Sequence, residues 1–294
     1  MDIFGIPVQA LMGQLLIGLI NGSFYALLSL GLAVIFGLLN IINFAHGAFY
    51  MMGAFGAYLL LNKLGLNYWW ALLLSPIIVG AVGVVLERTM LKRLYQLDHL
   101  YGLLLTFGLA LIIQGLFRNE FGSSGLPYAI PAQLSGGQNL GFMFLPNYRA
   151  WVIVASLIVC LLTWYVIEHT RLGGYLRAAT ENPQLVQAFG INVPRMITLT
   201  FGFGVGLAAL AGVMAAPIYQ VGPLMGADLI IVVFAVVVIG GMGSIMGAIV
   251  TGFGLGLVEG LTKVFYPEAS TTVIFVIMTI VLLLRPAGLF GAEK

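Results

Sequence analysis

Nine long apolar runs divide this chain, at about 10–38, 47–62, 69–86, 100–117, 149–168, 196–217, 228–243, 247–264 and 271–285. Each is apolar all round. Strands of a membrane barrel alternate apolar and polar residues over roughly ten positions, and an unclosed sheet would leave its backbone groups unsatisfied in lipid. Helices are therefore the only regular structure the runs allow. Charged residues make up 7% of the 294 positions, against roughly 25% in a soluble domain. So few charges cannot coat a water-exposed surface of this size, so lipid is the main solvent. At about 20 residues per span, the chain has room for about eight to ten transmembrane helices in a single membrane domain covering residues 1–294. The fold class is an all-α polytopic membrane protein. The first run suits either one tilted span with an interfacial turn or two short spans, and Asn21-Gly22-Ser23 marks the candidate break.

The basic residues orient the runs. Arg88, Lys92 and Arg93 crowd the loop at about 87–99, and Arg171, Arg177 and Arg195 occupy the loop at about 169–195. Loops rich in Lys and Arg stay on the cytoplasmic side. Two runs lie between these loops, so their parity agrees. The loop at about 118–148 then faces outside, with Arg118 and Arg149 only at its edges. Counting onward places Lys294 inside, and counting back places the N-terminus outside. Residues 1–7 carry Asp2 and no Lys or Arg, unlike the basic start of a cleaved signal peptide, so the first run is expected to be retained. Cys160 is the single cysteine and lies within an apolar run, which leaves no intrachain disulfide.

Glycine accounts for 39 residues and gathers in the later runs, at Gly202, Gly204, Gly206 and Gly212 and again at Gly252, Gly254, Gly256 and Gly260. Small residues four apart let helix backbones approach where lipid offers no hydrophobic drive. Met52-Gly53-Ala54 and Met246-Gly247-Ala248 each follow a Gly-containing, non-basic turn. The match is either chance or the trace of an internal duplication of the kind transporters use.

Polar residues inside apolar runs need a partner or a use, because a lipid-facing amide or imidazole is costly. Asn21, Ser23, Asn40, Asn43 and His46 are such residues, and Asn40 to Gly47 packs two amides and an imidazole between two apolar runs. Asn40 and Asn43 suit capping of helix ends; alternatively, the group lines a water-filled substrate path. Glu259 stands inside a late run near Lys263. It is expected either to face the rim, solvated or paired with Lys263, or to serve a proton or substrate path. The three histidines, His46, His99 and His169, have no Cys or carboxylate cluster at ligand spacing, so no metal site is expected. No span carries paired carboxylates or a nucleophile with a nearby base, and the sequence holds no phosphate-binding G-x-x-x-x-G-K-[ST] loop. Catalysis and nucleotide binding are therefore not expected of this chain, and no cofactor is called for.

The stretch from Arg171 to Arg195 carries its own signals. Thr180 or Asn182 suits an N-cap, Pro183 a first helical turn and Gly190 a left-handed C-cap. Leu185, Val186 and Phe189 fall at helical spacing. The spacing predicts a short amphipathic helix at about 182–190. It would either lie on lipid headgroups or dock a soluble partner.

Arg177-Ala-Ala-x-Glu181 followed by Gly190-Ile-Asn192 resembles the cytoplasmic coupling loop of ABC importer permeases. With Ile42-Asn43-Phe44-Ala45-His46-Gly47, Ile239-Gly240-Gly241-Met242-Gly243-Ser244 and Arg285-Pro286-x-Gly288-Leu289-Phe290-Gly291, the chain is similar to the branched-chain amino-acid ABC permease family from about residue 10 to 291. The resemblance implies a permease subunit of an ATP-driven importer in a bacterial inner membrane. Its implied partners are a related second permease, two cytoplasmic ATPases and a periplasmic binding protein; the bilayer surrounds it and no nucleic acid is involved. It also implies that Arg177, Glu181, Phe189, Gly190 and Asn192 belong to the ATPase-coupling loop. Asn21, Ser23, Asn40, Asn43, His46 and Glu259 are the candidate pathway residues. Many members of that family carry a carboxylate directly after the His-Gly pair, where this chain has Ala48. A carboxylate there would meet an ammonium group, so the departure leaves open branched-chain or hydrophobic amino acids, amides and other organic acids. The competing readings are an ion-coupled secondary transporter of a small organic solute and an intramembrane enzyme.

Overall fold

The computed structural model describes residues 2–3, 6–39, 43–95 and 97–291; Asn40 lies outside them. Each apolar run becomes a helix: α1 (Val8–Leu39), α2 (His46–Leu64), α3 (Tyr68–Thr89), α4 (His99–Phe121), α5 (Asn147–His169), α8 (Val193–Ala215), α9 (Met225–Gly240), α10 (Ile245–Phe265) and α11 (Thr272–Leu284). Between α5 and α8 lie α6 (Arg171–Glu181) and α7 (Pro183–Ala188), so the stretch read as a loop with one short helix is helical over most of its length. Among the described residues, six helices (α1, α3, α4, α5, α8 and α10) are long and apolar enough to cross a membrane; α9 and α11 are shorter apolar helices. The 19-residue α2 is buried along much of its length. Among the described residues, strand is confined to two short antiparallel pairs, β1 (Asp2–Ile3) with β2 (Ile6–Pro7) and β3 (Gly137–Asn139) with β4 (Phe144–Pro146).

α1 runs unbroken through Asn21-Gly22-Ser23. Ser23 turns its hydroxyl back to the Leu19 carbonyl at 2.9 Å, which satisfies it without opening the helix. The single-span alternative is the one the chain adopts.

The chain forms two compact units, one from residues 1–29, 129–160 and 232–294 and the other from 30–128 and 161–231. In the first, the early part of α1 lies against α10 through facing small residues. A Cβ added at Gly252 would stand 2.6 Å from the Ala26 Cα, and one at Gly22 would stand 3.0 Å from the Phe253 Cα. Ser29 donates to the Ala248 carbonyl at 3.3 Å along the same seam. The tail then returns to the turn after α9. Leu289 N–H donates to the Ile239 carbonyl at 2.8 Å and Phe290 N–H to the Gly240 carbonyl at 3.1 Å. Gly241 (φ 102°) and Gly288 (φ 84°) take left-handed backbone there, and a Cβ on Gly288 would lie 2.5 Å from the Gly241 Cα. Two sequence motifs separated by some forty residues are thus halves of one backbone junction.

In the second unit, α2, α3 and α8 form the core. Ser75 donates to the Gly53 carbonyl at 2.9 Å, holding α3 to α2. Gly53 of α2 abuts Ala209 of α8, and Gly212 of α8 abuts the Tyr50 carbonyl, so neither position has room for a side chain. Gly80 of α3 faces Gly202 of α8 in the same way. α4 joins through rings: Phe55 meets Phe117 at 4.8 Å and Phe121 at 4.9 Å between centroids. A single antiparallel bridge ties Leu126, beyond α4, to Val221, beyond α8.

Candidate functional site

The Asn-Phe-Ala-His-Gly segment is the tight entry into α2, and it belongs to the second unit. Asn43 Oδ1 accepts from Ala45 N–H at 3.0 Å, and the Asn43 carbonyl accepts from His46 N–H at 3.2 Å. Asn43 thus closes a side-chain turn just before α2, whereas the N-cap position of the helix itself is Ala45, with no side-chain cap bond. Its Nδ2 has no hydrogen-bond partner among the described residues. Phe44 N–H donates to Thr106 Oγ1 at 3.2 Å, and the Phe44 ring meets Phe107 edge-on at 6.1 Å, both on α4. Asn43 and His46 are each 0% exposed. Room for the imidazole comes from Gly31 of α1, where a Cβ would approach the ring Cε1 and Nε2 at 3.0 Å. Gly47 faces Gly226 at the start of α9 so closely that the carbonyl of each fills the space of the other's Cβ. Asn43, Phe44, His46 and Gly47 thus each have a turn or packing contact that uses the identity of the residue.

Asn21, Ser23 and Glu259 belong to the first unit. Glu259 is 4% exposed. Tyr25 donates its hydroxyl to Oε2 at 2.6 Å, and Lys263 Nζ lies 2.5 Å from Oε1, one turn along α10. The Lys pairing expected of Glu259 is present, but the carboxylate is buried rather than at a solvated rim. Tyr25 went unread in the sequence because an aromatic in an apolar run looks like core; only the fold brings it to α10. Asn21 is half-buried on α1.

The second cluster is the elbow formed by α6, α7 and the start of α8. Asn182 caps α7 through Oδ1, accepting from Leu185 N–H at 3.0 Å, and Asn192 caps α8 by accepting from Arg195 N–H at 3.1 Å. Gly190 takes the left-handed turn between them, at φ 83°, a geometry that favours glycine. Ala179, Val186 and Val193 bury together, with Ile191, Met196 and Ile197 against them. The apolar face read from spacing is therefore split. Val186 turns inward to this small core, whereas Leu185 and Phe189 stand 55% and 77% exposed. Arg177 is exposed but engaged: its guanidinium donates to the Ile167 carbonyl at 2.9 Å and pairs with Glu168 at 3.1 Å, linking α6 to the end of α5. Glu181 is exposed at the end of α6. The elbow is a pinned scaffold presenting an apolar tip and one acid.

One buried carboxylate escaped the sequence reading because it was counted with the basic loop after the third run. α3 extends to Thr89, and Glu87 in its last turn is buried. Tyr95 donates to Oε1 at 2.6 Å and Thr198 of α8 to Oε2 at 2.7 Å. Burial first, and then the Glu87 carboxylate, hold the Tyr95 hydroxyl well above its ordinary pKa. No group of three His, Cys, Asp or Glu able to hold a metal occurs among the described residues.

A profile of the family described as branched-chain amino acid transport system / permease component matches residues 14–283. The high-affinity branched-chain amino acid transport system permease protein LivH of Escherichia coli is 30% identical over 96% of this chain and 96% of its own length. Its Pseudomonas aeruginosa counterpart BraD is 31% identical, again over 96% of both chains. LivM, the other Escherichia coli permease protein of that system's name, is 28% identical over 92% of this chain and 68% of its own length. An all-α multi-pass architecture and a full-length match of this kind leave one assignment: the chain belongs to the branched-chain amino acid transport system permease family.

Proposed function

We propose that the chain is the membrane-spanning subunit of an ATP-driven importer that moves branched-chain or other hydrophobic amino acids, or related small organic acids and amides, across a bacterial inner membrane by alternating access. The observation that carries this reading is the elbow. A pinned pair of short helices ends in an exposed Phe189 and Leu185, beside the exposed Glu181. Such a tip suits a groove on a soluble motor protein, and α8 follows it directly, as a rigid element that relays a push. Two ATPases dock on such elbows, one on each permease. LivH and LivM carry the name of one transport system, which supports a related second permease as the partner of this chain. A periplasmic binding protein delivers the substrate. The elbow and the 87–99 loop face the cytoplasm, residues 122–146 face the periplasm, and the N- and C-termini lie outside and inside respectively.

The test is transport in vesicles holding the permease pair, its ATPases and its binding protein. Phe189→Glu and Glu181→Ala are expected to cut uptake at least tenfold while the ATPases still hydrolyse ATP, since a lost interface anchor is worth about 2 kcal/mol or more. Uptake that survives a protonophore but stops without ATP separates this importer from an ion-coupled carrier. Normal uptake by both variants would remove the elbow from the coupling route.

A further inference from the structure

Along one side of the second unit runs a groove of about 520 Å³ between α3 and α8. It extends from Leu72 to Val84 on α3 and from Leu199 to Leu210 on α8. Its floor is hollow because Pro76, Gly80, Gly202 and Gly206 carry little or no side chain there. Its walls are Leu73, Ile77, Leu199 and Phe203, all turned outward and largely exposed. Twelve helical residues rise about 18 Å, a little more than half of a hydrocarbon core about 30 Å thick. The groove is open along its outer side and lined by apolar residues throughout, which suits an extended hydrocarbon chain lying along it.

One end of the groove is charged. Glu87 and Thr198 join the last turn of α3 to the first turn of α8. Arg88 follows Glu87, four residues beyond Val84, and Arg195 lies four residues before Leu199, so both extend the groove by one helical turn. Both are exposed, and neither has an ion pair among the described residues. Lys92 and Arg93 follow, both exposed, in the turn at Leu91–Leu94. The nearby acid, Glu87, is buried, engaged by the Tyr95 and Thr198 hydroxyls, and forms no ion pair with either arginine among the described residues. An apolar slot that ends at two exposed guanidinium groups without ion pairs is complementary to an acyl chain carrying an anionic headgroup. We propose that the α3–α8 groove is a binding site for an anionic phospholipid, with one acyl chain along the groove and the phosphate on Arg88 and Arg195. Basic pockets between transmembrane helices bind anionic lipid headgroups.

The intact chain, purified in detergent, is incubated with equal amounts of phosphatidylglycerol and phosphatidylethanolamine of the same acyl composition, and the lipid that stays bound is measured by native mass spectrometry. Retention of phosphatidylglycerol over phosphatidylethanolamine by roughly tenfold is expected. In Arg88→Gln/Arg195→Gln the preference falls to near parity. Leu199→Trp, which fills the groove from its exposed wall, lowers retention of both lipids. Melting of each variant is measured in parallel, and only variants that melt as the parent does enter the comparison. Parity in the parent chain, an unchanged preference in the double arginine variant, or displacement of the lipid by excess glycerol 3-phosphate overturns the proposal. So does a disulfide formed between Leu199→Cys and a single cysteine on a partner permease, which would show that protein covers the groove.

Discussion

At the scale of single residues, the buried acids behave as fasteners. Glu259 is held by Tyr25 and Lys263, and Glu87 by Tyr95 and Thr198. Removing one partner of a buried pair costs more than neutralising the acid, because the charge that remains has lost its compensation. Lys263→Met is therefore expected to lower stability by roughly 2 kcal/mol and Glu259→Gln by less, Lys263 being one-third exposed. Thermal melting in detergent reads both, and equal losses would contradict the pairing. Asn43 invites a sharper separation of roles. Asn43→Ser keeps a hydroxyl able to accept, more weakly, from Ala45 N–H and removes the unpartnered Nδ2 without burying a charge. If that amide serves the pathway, uptake falls while melting is nearly held. Asn43→Ala, by contrast, loses the turn bond and about 1 kcal/mol. Uptake unaffected by Asn43→Ser would reduce the residue to its turn. These polar positions stood out in the sequence, because an amide in an apolar run has few uses. Their partners did not, since Tyr25 and Glu259 are 234 residues apart and no local pattern joins them.

At the scale of elements, glycine decides which helices touch. Gly53 on Ala209 and Gly212 on Tyr50 bring α2 and α8 together backbone to backbone, and the van der Waals gain of such close approach replaces the hydrophobic drive that lipid removes. Gly212→Leu is expected to prevent assembly of the second unit, which limited proteolysis and melting would register as a loss of the folded species. Gly254 faces open space, so Gly254→Leu in α10 is the matched control and is expected to be neutral; a protein equally damaged by both would refute the close-packing account. The apolar runs were legible as helices because length and all-round apolarity suffice in lipid. α6 was not, because Arg171–Glu181 mixes polar and apolar residues. Its buried positions Gly173, Leu176 and Ala179 recur every three residues, but two are too small to register as an apolar stripe.

For the whole molecule, the orientation rests on where the Lys and Arg residues fall. Cys160 is buried, so single cysteines can be introduced over a quiet background. Ser135→Cys, beside the β3–β4 hairpin, is expected to react with a membrane-impermeant maleimide in cells whose outer membrane is permeable to it. Thr180→Cys in α6 is expected to react only after the inner membrane is opened. The reverse pattern inverts the topology and takes the elbow away from the ATPases. What the sequence could not disclose at this scale is the partition into units, because both are assembled from segments far apart in the chain.

The strap formed by Leu289 and Phe290 on the carbonyls of Ile239 and Gly240 has a bearing on how the protein is made. The second unit is complete in sequence once residue 231 has left the ribosome, whereas the first unit needs the opening helix to wait for α10, α11 and the strap. Synthesis at about 5–20 residues per second separates the two events by several seconds. During that interval the small-residue face of α1 at Gly18 and Gly22 has no partner from α10.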